Sequence, residues 1–184
     1  SGFGGNVLWL NTTGSGNSAL GFNALSINVT GNINTAIGYG ANVSGDNFNN
    51  ATAIGAGSMV NASNKVRIGN TDVTVIEGQV AMTTSDGRFK NNIKENAPGL
   101  DLIMKLKPVT YNFQYGKFSD FLKEKNANKT HLQQKESKKE MGFVAQDVEK
   151  ACKELGLDLG NLVHVPENNQ DNYALAYGQL VVPL

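Results

Sequence analysis

The residues best suited to chemistry lie near the middle of the chain, in Thr83-Thr84-Ser85-Asp86-Gly87-Arg88-Phe89-Lys90. A serine hydroxyl becomes a nucleophile when a base takes its proton. A lysine amine can be that base once desolvation lowers its pKa towards neutrality. Ser85 and Lys90 stand at i and i+5, a spacing that shares a face on neither a helix nor a strand. They can meet only across a bend. Asp86-Gly87 supplies one, because Asp-Gly is a strong turn signal. The same dipeptide also reads as an ordinary hairpin turn with Lys90 as a solvated charge, and spacing alone leaves both readings open.

The segment sits where the composition of the chain changes. The 184 residues carry sixteen Lys plus Arg against sixteen Asp plus Glu, a formal net charge of zero. That balance argues against a nucleic-acid partner, which would call for a basic excess or stripe. No run approaches the ~18 apolar residues of a membrane-spanning helix. One cysteine, Cys152, excludes an internal disulfide framework and a cysteine-based zinc site. Nothing resembles a metal, phosphate or cofactor site. Residues 1–84 hold only five charged residues, Asp46, Lys65, Arg67, Asp72 and Glu77, but fourteen of the 21 glycines. The shift predicts a boundary near Met82–Ser85, with one domain over 1–82 and another over 83–184.

The first domain is repetitive. A small-apolar-Gly triplet recurs as Ala19-Leu20-Gly21, Ala36-Ile37-Gly38 and Ala53-Ile54-Gly55, then more loosely as Arg67-Ile68-Gly69, at intervals of 17, 17 and 14. Asn/Gly/Ser/Thr segments between the triplets read as tight turns, because Asn and Gly tolerate positive φ. A fixed period of this kind predicts a solenoid. Each coil carries only two or three small apolar side chains, too few for a core within one chain, so a parallel homotrimer that buries the stripes against one another is expected. Asn-x-Ser/Thr triplets at Asn11, Asn28, Asn42, Asn50, Asn61 and Asn128 follow from the composition and carry no assigned function.

The Ala-Ile-Gly-x-x-Ala repeats, as in Ala36-Ile37-Gly38-Tyr39-Gly40-Ala41, resemble the heads of trimeric autotransporter adhesins over roughly residues 17–70. The resemblance implies a trimeric left-handed β-roll of about fourteen residues per coil, with insertions in the 17-residue intervals. Similar repeats occur in phage tail fibres.

The second domain opens with Ser85-Asp86-x-Arg88-x-Lys90-x-Asn92-Ile93 and continues with Leu100-x-x-Ile103-x-x-Leu106-Lys107-Pro108-Val109-x-Tyr111. Gly142-Phe143-Val144-Ala145-Gln146-Asp147-Val148 follows, and Tyr177-x-x-Leu180-x-x-Pro183-Leu184 closes it. This ordered set resembles the self-cleaving intramolecular chaperone domain of phage endosialidases, tail spikes and tail fibres, a peptidase family that also includes a domain of myelin regulatory factor. The resemblance implies that Ser85 is the nucleophile and the first residue after a cut at Thr84–Ser85. It implies that Lys90 is the general base of a Ser-Lys dyad, that water hydrolyses the resulting ester, and that cleavage needs the assembled trimer. Asp86 and Asn92 are candidates to orient the dyad or to cap backbone amides. Some relatives also need a histidine, which makes His131 a candidate, while His164 reads as part of a strand. In that family a long stalk helix begins at the position of Tyr177-Gly178-Gln179-Leu180, and this sequence ends within its first turns.

Coarse patterning predicts helices over 98–105 and 146–155 and strands over 73–76, 109–113 and 141–145. The charged stretch 118–139 reads as a helical or mobile, solvated excursion. The expected architecture is a β-solenoid, a trimeric left-handed β-roll, followed by an α+β intramolecular chaperone domain. The expected function is the end of a homotrimeric tail-fibre or adhesin-like protein. Its C-terminal domain directs trimer folding and then releases itself by autoproteolysis at Thr84–Ser85. A structural adhesin or receptor-binding fibre whose trimerisation domain does not cleave is the alternative. Trp9, Tyr39 and Phe48 are candidate sugar-stacking aromatics for a host-surface or glycan receptor, although packing between coils accounts for them better. Either reading places the protein on a virion tail or a cell surface, with no membrane insertion.

Overall fold

The computed structural model describes residues 1–79, 84–94, 99–125, 127–158, 160 and 162–181. Seven short strands come first: β1 (Gly2–Phe3), β2 (Ser18–Leu20), β3 (Thr35–Ile37), β4 (Asn42–Val43), β5 (Thr52–Ile54), β6 (Met59–Val60) and β7 (Val66–Ile68). Then follow α1 (Leu100–Lys105), β8 (Val109–Tyr111), α2 (Tyr115–Leu122), α3 (Lys129–Glu136) and β9 (Glu140–Gly142). The chain closes with α4 (Ala145–Glu154), β10 (Val163–His164) and β11 (Ala174–Leu175). One compact unit comprises Ser1–Thr74, Tyr111–Glu140 and Pro166–Asn172; the other comprises Val75–Thr110, Met141–Val165 and Tyr173–Leu184.

The first unit contains a β-solenoid of about four turns. Its main sheet is parallel, in the order β1-β2-β3-β5-β7, with β4 and β6 paired separately. The triplets stack in register: Ala19 on Ala36, Ala36 on Ala53, Ala53 on Arg67. The shorter last coil loses its residues at one turn. Val43 pairs with Val60, and the Asn49 amide reaches Ser63, so the five residues 44–48 are matched by two, 61–62.

Strand alternation decides which face each triplet residue takes. The alanines Ala19, Ala36 and Ala53 point inward and are buried. Together with Leu25, Ala41, Val43, Ala51 and Val60 they form a core within the single chain, contrary to the expectation that one chain has too few apolar groups. That count took in the triplets alone and missed these residues, which fold inward as well. The outward residues Phe3, Leu20, Ile37, Ile54 and Ile68 stand in register as an apolar row, each 37–78 % exposed.

Much of the rest of the interior is polar and hydrogen-bonded from coil to coil, although Asn61 Oδ1 is buried without a partner. Asn17, Asn28 and Asn34 are buried. Asn17 Nδ2 donates to the Gly31 carbonyl (2.8 Å) and Asn34 Nδ2 to the Phe48 carbonyl (2.7 Å). The Asn17 and Asn34 side-chain oxygens accept the backbone amides of Asn34 and Ala51. The asparagines read in the sequence as turn formers are therefore also rungs between coils, and Asn28, Asn42 and Asn61 of the Asn-x-Ser/Thr triplets are buried. The triplet glycines serve the same stacking. Gly21 and Gly38 have φ of 126° and 131°, and a Cβ on Gly21 would lie 2.6 Å from the Gly38 carbonyl oxygen.

Residues 111–140 and 166–172 complete this unit. The Glu124 carboxylate, almost wholly buried, accepts the Thr71 hydroxyl (2.5 Å) and amide (3.2 Å) and the Ser119 hydroxyl (3.0 Å), and pairs with Arg67 at 3.5 Å. Burial pulls the Arg67 guanidinium below its usual pKa, and Glu124 opposes that shift. Arg67 also lies over the Phe118 ring, 5.4 Å from its centre. Lys123, in the left-handed region at the end of α2, reaches the Ser44 carbonyl. Lys135 donates to the Thr71 and Val73 carbonyls and lies over Tyr115. The Tyr115 hydroxyl donates to Glu140, and desolvation with that carboxylate pushes its pKa up to about 12. The stretch expected as a helical or mobile, solvated excursion is thus helical, and its charged residues Glu124, Lys135 and Glu136 are engaged rather than solvated.

Residues 73–76 are not a strand. Their alternation was real, but the ladder ends at β7, so the segment has no neighbouring strand to pair with among the described residues.

In the second unit α4 places Val148, Ala151 and Cys152 on one stripe, and they pack with Leu102 of α1, Leu162, Val163 and Leu180. Two-stranded ladders form between β8 and β9 and between β10 and β11. The helix expected over 146–155 is α4, and β9 ends at Gly142 because Ala145 already starts that helix. Residues 177–181 are a 3-10 turn, and the remainder of the expected stalk helix, 182–184, lies outside the described residues.

The rungs make a stability prediction. Asn34→Ala removes the partners of the Ala51 amide and the Phe48 carbonyl, both in the interior. Two buried groups left unpaired should cost about 2–4 kcal/mol, read as a lower midpoint in denaturant unfolding. Asn47→Ala, at an exposed bend, should shift it by less than about 1 kcal/mol.

Candidate functional site

The stretch from Thr84 to Lys94 belongs to the second unit and is exposed apart from Asp86, which is half-buried. A 3-10 turn spans Gly87–Phe89, with Asp86 as its N-cap and Lys90 as its C-cap. The bend that the sequence requires is therefore a capped 3-10 turn, not a two-residue hairpin. Gly87 needs no left-handed conformation here; the capping comes from Asp86, whose carboxylate accepts the Arg88 amide at 2.9 Å. The Lys90 amide closes the turn on the Gly87 carbonyl at 3.1 Å.

The turn brings the two candidate groups together. Lys90 Nζ donates to Ser85 Oγ at 2.7 Å. Both are solvent-exposed. To act as a base the amine must be neutral and accept the hydroxyl proton along the same line.

The other candidates are placed as follows. Asp86 is committed to Arg88, whose Nε and Nη2 donate to it at 2.9 and 2.6 Å. Those side-chain bonds, then the amide bond, hold its carboxyl below the usual carboxylate range, and the Arg88 guanidinium is raised in return. Asp86 thus shapes the turn and does not touch the Ser85 or Lys90 side chains. Asn92 has φ of 54°, a left-handed position that asparagine tolerates. Arg88, which directly follows Asp86-Gly87 in the opening motif, thus has a role that the sequence does not assign: it locks the cap.

His131 lies in the first unit, in the first turn of α3, where its amide donates to the Asn128 side chain and its Nδ1 is 3.2 Å from Asp72. It serves the solenoid end; Ser85 and Lys90 belong to the other unit. His164 is in β10 opposite Ala174, as its strand reading expects. Cys152 is packed in α4, and burial pushes its thiol pKa up, away from a reactive thiolate. Thr84, on the other side of the candidate bond, is exposed, and Thr83 lies outside the described residues.

Comparison with known proteins covers the same stretch. Residues 85–157 match the family described as chaperone of endosialidase. The match supports the chaperone resemblance read from the sequence over this segment. The family is one of self-cleaving peptidases. Its match begins at Ser85 and runs through the turn, α1, the charged helices and α4. No curated protein and no solved structure matches the chain. No described helix is long and apolar enough to cross a membrane.

The cap makes a local prediction. Asp86→Ala removes the N-cap acceptor of the Arg88 amide, so hydrogen exchange at that amide should speed up severalfold. The global unfolding midpoint should not move, because the turn carries no buried residue.

Proposed function

We propose that the chain is the end of a homotrimeric tail-fibre or adhesin-like protein, and that the segment from Ser85 onward assembles the trimer and cuts the chain once at Thr84–Ser85. The observation that carries this reading is the 2.7 Å contact between Lys90 Nζ and Ser85 Oγ at the first residues of a segment that matches a self-cleaving chaperone family.

The chemistry follows from the side chains. Neutral Lys90 accepts the Ser85 proton as Oγ attacks the Thr84 carbonyl carbon. The C–N bond of the Thr84–Ser85 peptide breaks, and the Lys90 ammonium returns the proton to the departing Ser85 amine. Thr84 is then held as an ester on Ser85 Oγ. Water hydrolyses that ester, leaving a carboxylate on Thr84 and a new N-terminus at Ser85. Asp86 is a positioning residue that keeps the turn closed.

Assembly and cutting are coupled on this reading. Desolvation is what favours a neutral amine, and Ser85 and Lys90 are exposed in the single chain, so a neighbouring chain must cover them. The apolar row Phe3, Leu20, Ile37, Ile54 and Ile68 supports such neighbours. A ladder of large apolar groups facing water along a parallel sheet is a surface that monomers seldom keep. Three parallel copies must also agree on one register, a slow task for non-local pairing, and a domain that trimerises first shortens it. A virion tail or another extracellular appendage is the setting that the family favours.

Two outcomes test the reading. In a chain lengthened past Leu184, intact mass under denaturing conditions should show two fragments meeting at Thr84–Ser85. Ser85→Ala and Lys90→Ala should each give one uncut mass. A trimeric but uncut parent would leave a trimerisation domain and remove the peptidase. Separately, Ile37→Asp in the middle of the apolar row should convert the trimer to monomer by sedimentation and slow cutting at least tenfold; a trimeric Ile37→Asp variant would remove the row as the interface.

A further inference from the structure

The cut at Thr84–Ser85 would divide a compact unit. Residues 1–74 lie before it, and residues 111–140 and 166–172, which belong to the same unit, lie after it. The contacts across that division are not a loose surface. Glu124 and Asp171 have side chains 1 % and 0 % exposed, and each meets a cation of the last coil, Arg67 and Lys65. The Lys65 ammonium is 2.7 Å from Asp171 and 3.1 Å from the Asn172 side chain. Asn61 donates to the Gln170 carbonyl, and Lys135 to the Thr71 carbonyl at 2.6 Å. Asp72 receives the Asn128 amide and faces His131.

We infer that residues 111–140 and 166–172 form a clasp that keeps the assembly fragment bound to the solenoid after the chain is cut, so that the cleaved product is a nicked complex. Separation would break both ion pairs together with the hydrogen bonds at Asn61, Thr71 and Asp72, all at once and in partly buried surroundings. Charge-assisted bonds of this kind are among the stronger ones. The link between the two sides is, by contrast, simple to cut: residues 74–79 and 84–85 are exposed and lie outside any helix or strand. The inference takes the position of the cut from the proposed function, but the clasp stands whether or not the chain cuts itself.

The test keeps these apart. A recognition sequence for a site-specific protease is inserted after Gly78 in the full chain carrying Ser85→Ala, so that the introduced cut is the only one. After digestion, the two fragments should co-elute in native size-exclusion chromatography and resolve only under denaturing conditions. Glu124→Gln with Asp171→Asn, which keeps the shapes and removes both charges, should shorten the lifetime of the complex at least tenfold, and 1 M salt should shorten that of the parent. Lys138→Ala, at an exposed position, should leave it unchanged. Immediate separation of the parent fragments overturns the clasp. So does a folded double variant that holds its fragments as long as the parent. If the double variant does not fold, Glu124→Gln alone is compared with the parent by the same criterion.

Discussion

A coil of this solenoid is incomplete until the next coil is laid on it. The amides of Asn17 and Asn34 reach carbonyls of the following coil, and their oxygens accept amides from that same coil. Without the next coil these groups would be buried and unpaired, a cost comparable to a lost hydrogen bond for each. The stacking alanines can be small because the asparagines fill the remaining interior. The triplet glycines are fixed by the same contact, since a side chain at Gly21 would collide with the coil above. Composition, period and the polarity of the core all follow from this coil-to-coil dependence.

The dependence also creates a problem at the end of the stack. β7 is an edge, and the turn after it, around Thr71, has amides and carbonyls with no further coil to receive them. The chain answers with side chains in place of backbone. Glu124 accepts at the Thr71 amide and hydroxyl, and Lys135 donates to the Thr71 and Val73 carbonyls. A buried carboxylate and a half-buried ammonium are expensive choices unless fully partnered. Each has several partners here, which is why a strongly charged segment can lie against the solenoid end.

What was legible in the sequence follows the range of the interactions. The period of the triplets announced the coils and their 17, 17 and 14 spacing, because parallel stacking in register repeats the same residues along the chain. The bend between Ser85 and Lys90 was legible for the same reason, being decided within six residues, although its form was not: a carboxylate cap at Asp86 won over the hairpin that Asp-Gly suggests. The inward fold of Leu25, in a turn, and of Val43 and Val60, in the short second ladder, and hence a core within one chain, was hidden because the triplets alone were counted. The role of the charged stretch was hidden most deeply. Glu124 meets Thr71 and Asp171 meets Lys65 across separations of 53 and 106 residues, and nothing local distinguishes those carboxylates from solvated ones. The strand expected at 73–76 failed for a related reason: alternation marks a strand only where a neighbour exists to complete the ladder.

These two kinds of contact give the molecule a direction. Coil-to-coil rungs can be added one after another and each rewards only its neighbour, so the stack has no intrinsic length or starting point. The clasp is different in kind, since it engages chiefly the last coil and the turn after it, at Asn61, Lys65, Arg67, Thr71 and Asp72, largely through ion pairs that the coil-to-coil rungs do not use. A charged end-piece that fits a single coil marks where the stack stops, and marking the stop of one chain is the information that sister chains would need to align with it. The exposed row of Leu20, Ile37, Ile54 and Ile68 cannot supply that information, because each rung of it resembles the next and a slip of one coil would still match apolar against apolar. On the proposed trimeric reading, register would be set from the end, where the chain is unique, and the segment that carries the Ser85–Lys90 pair follows that end in the sequence.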